Sequence, residues 1–265
     1  MPESQTVIAP SPPPPLPGAL PQPAPRPAPG PWGFWATMGW MVLMLAAFLG
    51  SSIIAVLVFP LWLYLTSDLK NLPQILGNLP ANGDLVWISG LYALPLTGAV
   101  LYLALLARRR YPWNSYLALV NLPSRKILPW LIVLIAYNVA CTLITDWAGL
   151  EEVPTWMFEV YNSARFRPGF FIMIIFGIPL LEELIFRGFV FTGVQARLGP
   201  AAAIALTAIV WSSLHVQYQW YYILQVLGIG VILGLARWRT GSIYAPLILH
   251  FLNNAAASLQ FLFYS

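Results

Sequence analysis

Charge is what this sequence has least of. Asp, Glu, Lys and Arg make up 8% of its 265 residues, against roughly a quarter in ordinary soluble domains. That scarcity argues against a water-soluble globular enzyme. A lone cysteine, Cys141, excludes an intrachain disulfide and any metal site built on several thiolates. Only two histidines occur, His215 and His250. No internal repeat is evident, so nothing suggests the inverted halves common in transporters. The start does not read as a secretory signal, since no basic segment precedes a short apolar core.

What is abundant is apolar: 59% of the chain is hydrophobic, in long uncharged stretches between clusters of charge. This is the pattern of a polytopic, all-α transmembrane bundle. Spans are predicted at 32–67, 85–107, 127–145, 169–195, 201–215, 221–236 and 242–264, about seven in all. Ahead of them, residues 1–31 hold 13 of the 25 prolines. Proline fixes φ and lacks an N–H, so this arm is expected to be extended or disordered. No partner for it can be read from its composition. The expected organisation is the arm, then N-terminal transmembrane helices over 32–164, then a membrane core over 165–265.

The formal net charge of +4 fits the positive-inside rule better than a nucleic-acid partner. With the arm in the cytoplasm, the inner side carries Arg26, Arg108, Arg109, Arg110, Arg125, Lys126, Arg197, Arg237 and Arg239. The outer side carries Lys70, Arg165 and Arg167. A bacterial plasma membrane is the expected location.

Ionised side chains at membrane depth cost about 2.5–3.5 kcal/mol each on an insertion scale, so those that occur there are informative. The fourth span holds Glu182, Glu183 and Arg187. Glu183 and Arg187 are four residues apart, share a helix face and can pair. Such a pair serves structure as readily as chemistry. Glu182 lies about 100° around the helix from Glu183 and has no local counter-ion. His215 ends the fifth span, and His250 and Asn254 share a face of the seventh. At 1.5 Å per residue, Glu182 and His215 lie about 22 Å from their cytoplasmic ends and His250 about 14 Å. All three can meet in one internal cavity. Asn253 has a less favourable angle than Asn254. Asn138 and Gln225 read as helix-to-helix hydrogen bonds, Gly230 and Gly234 as a close-packing GxxxG, and the Trp and Tyr residues of 216–222 as an interfacial belt.

Taken in order, Glu182-Glu183-x-x-x-Arg187, an aromatic three residues before a histidine (Trp211-x-x-x-His215) and His250-x-x-x-Asn254 resemble the CPBP intramembrane protease family. That family includes type II CAAX prenyl proteases and bacterial abortive-infection or immunity proteins. The resemblance covers about residues 165–264. The family usually has phenylalanine where this chain has Trp211, a departure that bears on packing more than on chemistry. The resemblance implies that Glu182 and His215 activate the attacking water, that His250 and Asn254 stabilise the oxyanion, and that Glu183 and Arg187 support them. It implies a membrane-associated protein or peptide substrate, with prenylated CAAX-type proteins as one class.

Peptide hydrolysis needs these roles on chemical grounds: a base for water and donors for the developing negative charge. A site without a metal is preferred. If zinc is used, Glu182, His215 and His250 are its ligands, with one open position. The chain has no HExxH, no GxSG nucleophile segment and no GxGD pair. Two other functions remain open at this point: a non-catalytic scaffold or immunity protein on the same fold, and a proton-coupled transporter.

Overall fold

The computed structural model describes residues 30–65, 77, 79–151 and 153–264. The proline arm through residue 29, Lys70 and Glu152 lie outside the described residues. Uncharged runs fold as helices because backbone in hydrocarbon must satisfy its own N–H and C=O groups. No strand occurs among the described residues.

Helix α1 (Phe34–Leu65) packs antiparallel to α2 (Gly83–Ala107). Trp32 Nε1 donates to Ala104 O at 3.0 Å at one end of the pair. At the other end, Trp62 Nε1 donates to Asp84 Oδ2 at 3.1 Å. A short helix α3 (Trp113–Tyr116) leads into α4 (Ser124–Trp147), which lies at the periphery with few buried residues. Helix α5 (Thr155–Ser163) buries Val160 and Tyr161 in a small cluster with Ala81 and Phe170. Neither α3 nor α5 was expected from hydropathy, since both are too short to span.

Next comes a helical stretch of 47 residues, α6 (Arg167–Ser213). It cannot be straight. Trp211 Nε1 lies 2.9 Å from Glu182 Oε2, although 29 positions separate them. A straight helix would hold those residues about 43 Å apart. The fold-back is at Gly199, whose φ of 81° and ψ of 174° suit glycine alone. Pro200 then opens the second leg, needing no N–H partner there. The predicted fourth and fifth spans are these two legs. Finally α7 (Trp220–Thr240) and α8 (Tyr244–Tyr264) close the bundle.

Helices therefore occupy all seven predicted segments. Among the described residues, five stretches are long and apolar enough to cross a bilayer: α1, α2, α4, α6 and α7. The second leg of α6, 200–213, is about 21 Å long, short of an approximately 30 Å hydrocarbon layer.

The first leg of α6 is the axis of the molecule. Phe186, Phe189, Phe191 and Val194 are fully buried there, among Met44 of α1, Ala104 of α2, Leu233 and Ala236 of α7 and Leu249 of α8. Arg237, counted above among the inner-side charges, is buried in α7. Its Nε donates to the Arg187 carbonyl at 2.9 Å, and its guanidinium lies over the Phe191 ring. A long apolar stem lets arginine enter the core once its head group finds an acceptor.

Candidate active site

Glu182 and Glu183 lie in a short α-helical segment, Ile178–Glu183, between two π-helical stretches, Met173–Gly177 and Leu184–Val190. A π turn widens the helix, and such turns are frequent at functional sites. Nothing in the hydropathy pattern signals them. Here they flank both carboxylates.

The two acids take different environments. Glu183 and Arg187 are wholly buried, with Arg187 Nη1 2.9 Å from Glu183 Oε1. Arg187 Nη2 also donates to Gly230 O at 3.2 Å, and its guanidinium stands 4.8 Å from the Trp211 ring centroid. The expected pairing is thus present. Glu182 keeps 15% of its side-chain surface exposed and lines a cavity of about 930 Å³. Its Oε2 accepts from Trp211 Nε1 at 2.9 Å and stands 3.8 Å from His250 Nε2.

His250 is buried, with Nδ1 2.9 Å from the same Glu183 Oε1 that Arg187 holds. A ring donating through Nδ1 offers Nε2 as an acceptor when neutral and as a donor only when doubly protonated. Four residues on, Asn254 Nδ2 donates to Ile174 O at 2.8 Å, a carbonyl of the first π-helical stretch. That bond uses one of the two amide hydrogens, orients the side chain and leaves the second hydrogen free to point elsewhere.

His215 corrects the sequence reading. The fifth span was predicted to end at His215, but the helix stops at Ser213. His215 lies partly buried in the turn between α6 and α7, with Nδ1 3.0 Å from Trp211 O. The ring adds a second donor to a helix-end carbonyl that also accepts from Leu214 N at 3.2 Å. With Nδ1–H donated there, Nε2 carries the lone pair.

Trp211 stands between the two histidines. Its ring meets His215 and His250 edge-on, at centroid distances of 5.1 and 5.2 Å. Gly230 makes room for it: a Cβ on Gly230 would fall 3.1 Å from Trp211 Cε3. The GxxxG pair therefore packs α7 against the second leg of α6, as its spacing suggested. Tyr218, which sequence reading placed in an interfacial belt, instead stacks on His215 at 5.7 Å and lines the cavity. Burial pushes its hydroxyl up to about 12. Its position three residues past His215 was the only available signal.

The other polar residues behave as glue. Asn138 Nδ2 donates to Asn253 Oδ1 at 3.0 Å, and Gln225 Nε2 donates to Thr145 Oγ1 at 3.0 Å. All six candidates, Glu182, Glu183, Arg187, His215, His250 and Asn254, thus fall in or directly behind one cavity. As a zinc site the set does not fit this arrangement. Among the described residues, no three His, Cys, Asp or Glu side chains stand close enough to hold one ion.

Residues 164–256, which contain all six candidates, match the family model for type II CAAX prenyl endopeptidase Rce1-like proteins. A curated relative, the membrane-embedded CAAX protease MroQ of Staphylococcus aureus (strain USA300), is 29% identical over 146 residues. The alignment covers 51% of this chain and 58% of that protein. The chain therefore spans little more than half the length of the curated relative it matches. No solved structure matches it. The family match thus covers the segment that holds the candidate site.

Proposed function

We propose, from a chain whose family match and curated relative support a CPBP-type membrane protease, that it is an intramembrane endopeptidase acting by a glutamate–histidine mechanism. The observation that carries this is the convergence, on one cavity inside a helix bundle, of Glu182, His215 and His250 around Trp211. Glu182 accepts the proton of a water whose oxygen attacks the scissile carbonyl carbon. His215, which lines the cavity and whose Nε2 carries the lone pair, shares the developing proton and passes it to the leaving amine. As the C–N bond breaks, the carbonyl re-forms and leaves a carboxylic acid product.

The tetrahedral oxyanion receives hydrogen bonds from His250 Nε2 and the second Asn254 amide hydrogen. That role requires His250 in its doubly protonated form. In that form the formal charges of Glu182, Glu183, Arg187 and His250 sum to zero, as a group removed from water requires. Glu183 and Arg187 orient His250 from behind. The mechanism uses no metal. The substrate is a membrane-associated protein or peptide, with prenylated CAAX-type proteins as one class. The chain resides in a bacterial plasma membrane with its N-terminus in the cytoplasm.

The test is to replace the chromosomal gene by Glu182→Gln, confirm equal membrane levels, and compare peptide termini in the two membrane proteomes. Termini missing from the mutant establish cleavage and name the substrate. Identical termini reject the proteolytic assignment.

A further inference from the structure

We infer that Trp211 is a positioning residue for Glu182, through its indole N–H. The inference rests on the proteolytic assignment above and adds a residue that the family pattern leaves as plain aromatic packing.

In the charge state proposed above, with His250 doubly protonated, Glu182 Oε2 has two competing donors nearby. Trp211 Nε1 holds it at 2.9 Å, while His250 Nε2 stands at 3.8 Å, beyond a hydrogen bond. A carboxylate and a protonated imidazole inside a helix bundle attract each other more strongly than in water. Left to themselves they would close that gap. A closed pair would satisfy the base and the oxyanion donor with each other and leave neither for substrate. The indole N–H prevents this by pinning the carboxylate to the α6 side of the cavity.

Trp211 is well placed to hold a fixed position. Its ring is nearly fully buried. It is bounded by Gly230 of α7 on one side and by the His215 and His250 rings on others, with the Arg187 guanidinium near its face. Its main-chain carbonyl accepts from His215 Nδ1 at 3.0 Å. One residue therefore orients both members of the proposed water-activating pair: the carboxylate through its side chain and the imidazole through its backbone. Only the first of these depends on tryptophan. A phenylalanine would keep the His215 contact and the aromatic fill but lose the donor to Glu182.

Two variants separate donation from shape. Trp211→Phe removes the N–H and some volume. Site-specific incorporation of 3-benzothienylalanine at position 211 removes the N–H alone, since sulfur replaces it in a ring of nearly the same size. The first readout needs no substrate. A hydrophobic carbodiimide modifies protonated carboxyl groups, and peptide mass spectrometry measures its labelling of Glu182 separately from Glu183. A hydrogen bond to the charged form of an acid favours that form. Both donor-less proteins should therefore label Glu182 faster, by about tenfold for a charged-group hydrogen bond, with Glu183 unchanged. The second readout is turnover of an internally quenched peptide built around the terminus that Glu182→Gln abolishes. There both variants should lose about tenfold or more in kcat with KM little changed.

If the benzothienyl protein labels at the wild-type rate, Trp211 acts by shape and the inference is overturned. If Glu182→Gln leaves every terminus in place, the proteolytic assignment fails, while the labelling comparison still decides whether Trp211 controls Glu182.

Discussion

Replacing Arg187 by methionine strands a carboxylate at the centre of the bundle. Methionine has a similar length and no charge, so the change isolates electrostatics from packing as far as one substitution can. Three contacts disappear: the 2.9 Å pair with Glu183, the 3.2 Å bond to Gly230 O and the guanidinium over Trp211. Glu183 Oε2 has no hydrogen-bond partner among the described residues, so Oε1 would be left with His250 Nδ1 alone. Removing one member of a fully buried pair costs about 3–5 kcal/mol, here because two carboxylates are left to share the one cation, His250, of the proposed mechanism. At 1.36 kcal/mol per factor of ten, that is roughly two to four orders of magnitude in the folding equilibrium. The assay is reversible unfolding in lipid bicelles, followed for wild type, Arg187→Met, and the double variant Arg187→Met/Glu183→Gln. Glutamine keeps an acceptor for His250 Nδ1 but carries no charge, so the double variant should recover more than half of the lost stability. A double variant no more stable than Arg187→Met would refute the reasoning and move the loss to packing.

Three further outcomes follow from particular residues. Gly199→Ala forces a Cβ onto a φ of 81° and should cost about 1–3 kcal/mol; an unchanged unfolding midpoint would mean the two legs of α6 are joined differently. Cys141, the only cysteine, lines the cavity, so a small maleimide should modify it and a substrate peptide should slow that reaction. Equal labelling rates with and without peptide would place the peptide elsewhere. Tyr218 lies in the turn between α6 and α7, where burial raises its hydroxyl to about 12. Raising a phenol's value favours its neutral form, so Tyr218 stays a proton donor until pH nears 12. Wild type and Tyr218→Phe should therefore share any alkaline limb seen below about pH 11, and a limb found only in the wild type would contradict this.

The sequence carried the bundle because hydropathy is a local quantity: each uncharged run, taken alone, demands a helix. The Glu183–Arg187 pair was legible for a similar reason, since four residues along a helix bring side chains to one face. The partner of that pair was not. His250 meets Glu183 across 67 positions, and no periodicity encodes which face of α8 turns toward α6. The limits of α6 also escaped local reading. Its π-helical stretches carry no mark in the hydropathy pattern, and His215 lies past the helix end at Ser213, its side chain bonded back to the Trp211 carbonyl. The burial of Arg237 was equally beyond local reading, since its acceptor is a main-chain carbonyl 50 positions away.

Trp211 shows most clearly why residue type at a motif position is not enough. As an aromatic it satisfies the pattern, and packing accounts for an aromatic there. What distinguishes it is one N–H group whose acceptor is known only once the two legs of α6 are folded together. In water that bond would compete with solvent and matter little. Inside the bundle the competitor is His250 Nε2, a donor in the doubly protonated form proposed above and 3.8 Å from the same oxygen. A low dielectric strengthens both attractions, so small differences in distance decide which donor the carboxylate keeps. The gap between Glu182 and His250 is then a held separation. Its width depends on Gly230 letting the indole approach and on Gly199 turning α6 back on itself. A substitution at either glycine should therefore reach the chemistry through the position of the indole, without touching a proposed catalytic group.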